Sequence, residues 1–226
     1  MSIRLRISDK NKREIAFKQK QVVEFVILRK YEKKMICRKT ENKLNRINLR
    51  IQACTSCELC NLAYNKKDIS KGYGKLYGWR GGQKKCRYML VGMNPSYNRF
   101  AGHEYAFGGV EGSPGPGKKF NGLLKEAGIF EEIFCDNVIH CSSSTNEIQM
   151  SWAQACFSHL VDEIDALQPE KIITMGRQVF TMLSDLFREH NIEILIKNIW
   201  HPSYVFSYGR STPDEYKKTI LRACHD

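Results

Sequence analysis

Apolar and polar stretches alternate along the second half of the chain in a way that predicts strands separated by helices. Short apolar runs of strand length occur at 88–91, 133–139, 171–175 and 192–199. Between and after them, the spacing of apolar residues predicts helices at 118–128, 150–167, 177–190 and 213–224. This alternation is typical of a parallel sheet covered by helices on both faces. The predicted fold class is α/β, a three-layer α/β/α arrangement whose mostly parallel central sheet has about four strands.

The first half of the chain has a different character. Residues 12–31 and 40–52 show apolar spacing that favours helices, and 61–86 are rich in Gly, Lys and Tyr and predict a loop with room for one edge strand. The predicted organisation is therefore a basic helical N-terminal extension over 1–50, followed by one α/β domain over 51–226.

Charge separates the same two segments. The formal net charge is +12, and residues 1–50 carry sixteen basic and five acidic side chains, whereas the remaining residues carry twenty and nineteen. A basic segment on a nearly neutral body indicates a polyanionic partner, usually nucleic acid. The alternative is a solvated helix without a partner.

The lengths of the apolar runs and the number of cysteines indicate the cellular compartment in which the protein resides. No apolar run approaches the ~20 residues of a membrane span, and the first residues lack the apolar stretch of a signal peptide. We therefore expect an intracellular monomer in a reducing compartment, cytoplasm or nucleus, that is not secreted and has no membrane partner. The nine cysteines then indicate metal binding rather than disulfides.

Four of these cysteines have spacing suited to one metal centre. Cys54 and Cys57 form a close pair, while fourteen residues separate Cys141 from Cys156. Four thiolates suit either a tetrahedral zinc ion or an iron–sulfur cluster, and the spacing does not choose between them. Cys60 is a possible substitute ligand.

Polar residues follow three of the predicted strands. Asn94 follows the first, Asn137 lies in or after the second, and His201 follows the last. Ligands of parallel sheets bind at the carboxyl ends of the strands, so we expect these side chains to share one cleft.

From about Cys54 to Phe206 the chain contains Cys-x-x-Cys-x-Leu-Cys, Gly-x-x-Pro, Phe-x-Gly, Asn-x-x-x-Cys and His-Pro-Ser in that order. This order of motifs resembles the uracil-DNA glycosylase superfamily, and its closest branch is the iron–sulfur-containing family 4. The resemblance implies a DNA glycosylase that flips uracil, or a related deaminated base, out of DNA. It would hydrolyse the N-glycosidic bond and so initiate base excision repair.

The resemblance also implies a role for each matched residue. Asn94 and His201 would be catalytic, and Gly92, Met93, Phe107 and Asn137 would bind the base. A [4Fe–4S] cluster would be held by Cys54, Cys57, Cys141 and Cys156. The expected DNA contacts are Ser96, Ser203, Tyr204, Val205, Phe206 and Arg210.

These roles are chemically reasonable. Flipping a base costs a few kcal/mol, and an aromatic ring such as Phe107 recovers about 1–3 kcal/mol by stacking on it. The Asn137 amide can pair with both N3–H and O4 of uracil. A donor from His201 to O2 would stabilise the uracil anion as the bond breaks.

The first motif departs from family 4. Met93 stands where that family has an acidic residue, while Asn94 resembles the mismatch-specific uracil/thymine branch. Ser96 replaces a bulky residue that would exclude the thymine methyl group. Two alternatives follow: a glycosylase for mismatched thymine or deaminated purines, or a catalytically degenerate, metal-stabilised nucleic-acid-binding module. Because an amide cannot act as a base near neutrality, Asn94 predicts slow turnover.

Overall fold

The computed structural model describes residues 38–62, 78–82, 84–95, 106–108, 116–143 and 148–226. Residues 43–226 form one compact unit, and residues 1–42 form another. The helix predicted at 12–31 lies outside the described residues, as does most of the basic extension. The domain boundary expected at residue 50 stays a prediction. Within the described ranges, no helix is long and apolar enough to cross a membrane.

The central sheet has five strands in the order β1-β3-β2-β4-β5. They are β1 (Trp79–Arg80), β2 (Tyr88–Gly92), β3 (Ile133–Asn137), β4 (Lys171–Met175) and β5 (Leu195–Ile199). The last four run parallel, whereas β1 pairs antiparallel with β3. The expectation of a mostly parallel sheet is confirmed. The count of about four strands is one short, because a two-residue edge strand has almost no sequence pattern of its own.

Burial explains why the inner strands are uniformly apolar. Every residue of β2 is buried, as expected for a strand covered by helices on both faces. The outer strand β5 is different, since only Ile199 is buried and Leu195 is 46% exposed. This strand begins at Leu195 rather than at residue 192 and lies at the sheet edge.

Seven α-helices surround the sheet in the described ranges. They are α1 (38–53), α2 (Glu58–Asn61), α3 (Pro116–Glu126), α4 (Met150–Leu167), α5 (Arg177–Glu189), α6 (Pro202–Phe206) and α7 (Pro213–His225). Local signals set several ends. Helix α7 begins with a capping box in which Thr212 and Glu215 exchange side-chain and backbone hydrogen bonds. Gly128, with φ of +72°, ends the turn after α3.

The helices form one layer on each face of the sheet, which confirms the three-layer fold. One core cluster joins the sheet to α1, α2, α4 and α5 through residues such as Ile51, Leu59 and Leu160. The other joins it to α3, α6 and α7 through residues such as Phe120 and Tyr216. Successive side chains of a strand point to opposite faces, so neighbouring residues at a strand end serve different layers.

Candidate active site

The carboxyl ends of β2 and β3 are fixed to each other. Gly92 is the register partner of Asn137, and the backbone N–H of Val138 donates to the Gly92 carbonyl at 2.9 Å. One residue later, the N–H of Ile139 donates to the Met93 carbonyl at 2.9 Å. These hydrogen bonds hold the Gly-Met-Asn-Pro segment beside Asn137, at the sheet edge where parallel sheets bind ligands.

Gly92 allows two side chains to approach the backbone closely. A Cβ atom at this position would lie 2.4 Å from Cζ of Phe107 and 2.6 Å from Oδ1 of Asn137. Both distances are far inside van der Waals contact, so only glycine fits here without displacing its neighbours. The absence of a side chain therefore brings Phe107 and the Asn137 amide together.

Phe107 is held in an uncommon backbone conformation. Its φ of 56° and ψ of 19° lie in the left-handed region, which residues other than glycine adopt rarely. The ring centroid lies 6.3 Å from that of Phe120 in α3 and 5.9 Å from that of His201. The strained backbone and the packing together aim this ring at the cleft between β3 and His201.

His201 is the N-cap of α6, directly after β5. Its Nδ1 accepts a hydrogen bond from the backbone N–H of Ser203 at 3.2 Å. Burial lowers the pKa of His201 from 6.5 to about 4, so the imidazole is neutral near neutral pH. With Nδ1 accepting, the single proton lies on Nε2, and that nitrogen is a hydrogen-bond donor.

A buried tyrosine supports the loop that carries this histidine. The hydroxyl of Tyr216 in α7 donates to the carbonyl of Trp200 at 2.6 Å. Trp200 immediately precedes His201, so the backbone is tied to α7 just before the imidazole.

Two residues of the first motif have different surroundings. The amide nitrogen of Asn94 donates to the Pro95 carbonyl at 3.2 Å, which leaves its oxygen as the atom that can orient a water molecule. The Met93 side chain packs against the core on the α4 face, whereas Phe107 packs on the α3 face. Met93 therefore borders the cleft through its backbone. Ser96 lies outside the described residues.

The structure thus brings together four of the predicted site residues, Gly92, Phe107, Asn137 and His201. The arrangement combines a stacking ring, an amide and a neutral imidazole donor. A model of the Uracil DNA glycosylase superfamily matches residues 80–224 of the chain. The chain belongs to this superfamily.

Comparison with solved structures gives a weaker likeness. The crystal structure of wild-type Pedobacter heparinus SMUG2 is similar, with a TM-score of 0.45 and 12% sequence identity. The likeness covers 62% of this chain and 75% of that one. No curated protein sequence matches the chain. Family membership supports a DNA glycosylase, a hydrolase of DNA repair with DNA as its partner. Its assignment to the iron–sulfur branch stays a prediction.

In this glycosylase, the cysteines expected to bind metal lie near one another on the α4 face. Cys54 and Cys57 pack against the core cluster that contains Cys141 and Cys156. Burial raises the pKa of Cys156 to about 12, and Cys57, Cys54 and Cys60 add to the rise. None of the eight described cysteines forms a disulfide. Cys37 lies outside the described residues.

Cys60 lies between two of the predicted cysteine ligands, which its position in the sequence did not indicate. Its Sγ lies 3.7 Å from Sγ of Cys57 and 3.6 Å from Sγ of Cys141. The donor set is therefore five buried or half-buried sulfur atoms, which fits a thiolate-bound zinc ion or iron–sulfur cluster. A bound metal would convert these protonated thiols to thiolates. Cys60 therefore joins Cys54 as a candidate fourth ligand.

The predicted DNA-contacting residues after His201 differ in their exposure to solvent. Val205 is 2% exposed within the core, and the Phe206 ring packs edge-on against Tyr216 with centroids 5.9 Å apart. Tyr204, by contrast, is 44% exposed. Ser203 is partly buried and caps α6 through its N–H, and Arg210 is exposed beyond the helix. The DNA-contacting role of all four α6 residues stays a prediction.

Two exposed aromatic residues near the site, Trp200 and Tyr208, were not among the contacts predicted from the sequence. The Trp200 ring packs edge-on against Tyr204, with centroids 5.6 Å apart, and Tyr208 is 71% exposed. In the sequence, Trp200, Tyr204 and Tyr208 follow one another at intervals of four residues around His-Pro-Ser, and this spacing could have indicated them. They extend the accessible surface beside His201.

The described end of the basic extension lines a groove with α4. Lys43, Arg46 and Arg50 face Asp162 and Asp165 there. The Arg50 guanidinium pairs with the Asp162 carboxylate at 2.6 Å. Since acids of α4 accompany these cations, this groove is nearly charge-balanced, and the predicted excess of positive charge resides earlier in the chain.

Proposed function

We propose that the chain is a monofunctional uracil-DNA glycosylase that hydrolyses the N-glycosidic bond of an extruded uracil and initiates base excision repair. The observation that carries this proposal is the position of the Phe107 ring. It lies against the Gly92–Asn137 pair, and its centroid is 5.9 Å from that of the His201 ring. A flat base that stacks on this ring would meet an amide and an imidazole at its edges.

Asn137 would select the base. Its amide nitrogen would donate to O4 of uracil while its oxygen accepts from N3–H. Cytosine presents an acceptor at N3 and a donor at N4, so the same amide orientation would leave buried polar groups unpaired. Mismatched hydrogen-bonding edges of this kind discriminate strongly between otherwise similar substrates.

His201 would stabilise the leaving base. As the bond between C1′ and N1 breaks, its electron pair passes to uracil and negative charge develops on O2. The proton on Nε2 of the neutral imidazole would then donate to that oxygen, as donors do in an oxyanion hole. Because the Ser203 N–H occupies Nδ1, the imidazole needs no tautomer change before it donates.

Asn94 would place the attacking water. The water oxygen adds to C1′ of the oxocarbenium-like sugar and loses a proton to solvent, giving an abasic site. The Asn94 oxygen can accept a hydrogen bond from this water but cannot take its proton. Turnover should therefore be slower than in a relative with a carboxylate at this position.

The cofactor belongs to the proposal as well. A [4Fe–4S] cluster on Cys54, Cys57, Cys141 and Cys156 fits the sulfur-only donor set, and zinc is the alternative. When bound, the cluster would act as a structural cross-link between the segment before α2, the segment after β3, and α4. The basic extension would add salt-dependent affinity for DNA phosphates.

A substrate panel tests the proposed specificity. Duplexes containing U·G, U·A, T·G or a deaminated purine, together with uracil in single-stranded DNA, are incubated with excess protein, and abasic sites are detected by alkaline cleavage. We expect cleavage of the uracil substrates. Release of only thymine or deaminated purines would favour the alternative specificity. Binding without base release would favour the nucleic-acid-binding module.

A matched pair of variants assigns any activity to the site. The variant His201→Ala should lose most base release, whereas His225→Ala, an exposed histidine at the end of α7, should retain it. Equal activity of both variants would show that base release does not take place in this cleft.

A further inference from the structure

A second cluster of polar side chains is buried beneath α4. Asp136, His140 and Glu163 each offer a ligand atom, and these atoms all lie within 4.8 Å of one another. Asp136 and Glu163 are 0% exposed and His140 is 1% exposed. Nδ1 of His140 lies 3.4 Å from Oδ1 of Asp136. None of these three residues is a specified position in a motif that the chain shares with the glycosylases.

The two carboxylates are poorly satisfied for buried groups. Oδ2 of Asp136 and both oxygens of Glu163 receive no hydrogen bond from any donor in the described part of the chain. Glu163 projects from α4 towards Asp136, because α4 covers the face of the sheet to which Asp136 points. Buried charged oxygens without partners cost several kcal/mol each, so a compensating group is required.

Two groups could neutralise both carboxylates at once, a shared proton and a bound cation, and Nδ1 of His140, 3.4 Å from Oδ1 of Asp136, can also donate to that one carboxylate. Burial raises the pKa of Glu163 well above its ordinary value, and the charge of Asp136 adds to the effect, so Glu163 could remain protonated and donate to Asp136. A divalent cation is the other compensation, since it neutralises both carboxylates at once. The imidazole of His140 can serve either arrangement, because it can donate to Asp136 or act as a metal ligand.

We propose that Asp136, His140 and Glu163 form a binding site for a divalent first-row transition-metal ion, separate from the cysteine cluster. Two carboxylates and an imidazole suit manganese, iron or zinc, whereas sulfur donors are absent from the triad. Donors that each lie about 2.0–2.2 Å from one ion are about 3–4.4 Å apart. The ligand atoms here lie within 4.8 Å of one another, so small side-chain shifts would bring them onto one ion.

His159 lies where a fourth ligand or supporting group is needed. It precedes Glu163 by one helical turn on α4, and its ring packs edge-on against His140 with centroids 5.8 Å apart. Nδ1 of His159 is buried without a hydrogen-bond partner in the described ranges, while the residue as a whole is only partly buried.

An ion at this site would stabilise the strand end that carries the proposed base-reading residue. Oδ1 of Asp136 accepts a hydrogen bond from the backbone N–H of Asn137 at 2.7 Å. Fixing the Asp136 carboxylate would therefore also fix the Asn137 backbone. Asp136 and Glu163 would act here as positioning residues, and metal binding itself does not depend on the proposed substrate.

Manganese binding to the full chain tests the proposal. The protein is dialysed against a chelator, residual zinc and manganese are counted by elemental analysis, and Mn²⁺ is then titrated while free Mn²⁺ is followed by electron paramagnetic resonance. We expect one Mn²⁺ ion to bind per chain, in addition to any zinc or iron held by the cysteine cluster. Mn²⁺ is the probe because this hard ion prefers carboxylate and imidazole to the thiolates of the cysteine cluster.

Matched variants on one helix locate the ion. Glu163→Gln should weaken Mn²⁺ binding at least 100-fold, whereas Asp165→Asn, an exposed acid of α4, should leave it unchanged. If Glu163→Gln does not fold, electron spin-echo modulation of the wild-type complex replaces it, and an imidazole nitrogen signal is expected. No stoichiometric ion, equal binding by both variants, or an absent nitrogen signal would overturn the site and leave a proton-sharing carboxyl pair.

Discussion

The ring of Phe107 lies 5.9 Å from that of His201 and fills the space that a side chain at Gly92 would need. These contacts join three chain segments, namely the end of β2, the turn at Ala106–Gly108 and the start of α6. Phe107 makes these contacts from a left-handed backbone conformation. A base-stacking ring held in this way would be preorganised before DNA binds.

A methyl group at Gly92 should inactivate the site without unfolding the domain. In Gly92→Ala, the added Cβ would clash with Phe107 and Asn137, so both must move from their present positions. We expect the single-turnover rate on uracil DNA to fall at least 100-fold, since small displacements of aligned groups cost about that much. Thermal unfolding should show that the sheet persists.

Gly122→Ala is the matched control for this change. Gly122 lies inside α3, and beyond its chain neighbours and the backbone of its own helix no atom lies within 4 Å of the position that its Cβ would occupy. Alanine should stabilise the helix by about 0.5–1 kcal/mol and leave the rate unchanged. Similar rates for the two variants would show that close packing at Gly92 does not shape the active site.

The pH dependence of stability should reveal the buried neutral imidazole. The pKa of His201 is about 4 in the folded protein and 6.5 when unperturbed, so the unfolded chain binds the proton first as pH falls. His201 should therefore reduce stability progressively between about pH 6.5 and pH 4 and have no effect above that window. Replacing His201 by Gln should remove this part of the acid destabilisation.

Proton NMR gives the second readout for the same histidine. The Cε1–H resonance of His201 should stay in its neutral position down to about pH 5. Base release should likewise show no step from this residue between pH 5.5 and pH 8. A midpoint near 6.5 would contradict a buried, neutral donor.

Single cysteine variants should identify the metal ligands. After anaerobic purification, the wild-type protein should be brown and contain iron, and Cys54→Ser or Cys141→Ser should remove both properties. Cys135→Ala is the control, because Cys135 lies in the other core cluster. Cys60→Ser should retain the iron. The reverse result for Cys54 and Cys60 would assign the fourth ligand to Cys60, whereas zinc in place of iron would exclude the cluster.

Loss of one buried hydroxyl should loosen the segment before His201. Tyr216→Phe removes the 2.6 Å hydrogen bond to the Trp200 carbonyl, at an expected cost of about 0.5–1.5 kcal/mol. For a chain of this size, each kcal/mol lowers the melting temperature by about 2–4 °C. Tyr208→Phe, on an exposed ring, should change nothing. Equal melting temperatures for the two variants would show that the Tyr216 bond contributes no stability.

The fold was predictable because the apolar pattern and the helix-ending residues agree. Helix α4 and strand β4 have the predicted bounds, since each is an apolar segment bordered by a clear terminating signal. Strand β1 escaped prediction because two residues cannot show an alternation, and its position depends on pairing with β3. Strand β5 is shorter than predicted for a similar reason. It lies at the sheet edge, and its pairing with β4 begins only at Leu195.

The site was predictable only in part. A motif order identified Asn137 and His201, but it could not show that Met93 faces the α4 layer or that Val205 is buried. Asp136 and Glu163 meet only when α4 packs on β3, and an isolated acid in an apolar segment gives no indication of a partner. Contacts made by tertiary packing of this kind leave no local pattern in the sequence.

Release of free uracil from a U·G duplex under single-turnover conditions tests the central claim most directly. Wild-type protein should release uracil and leave an intact abasic strand, while His201→Ala should be slower by roughly 10²–10³-fold, the usual cost of losing one such donor. Phe107→Ala should also be slower. No uracil release by the wild-type protein, or equal rates for wild type and His201→Ala, would contradict the account.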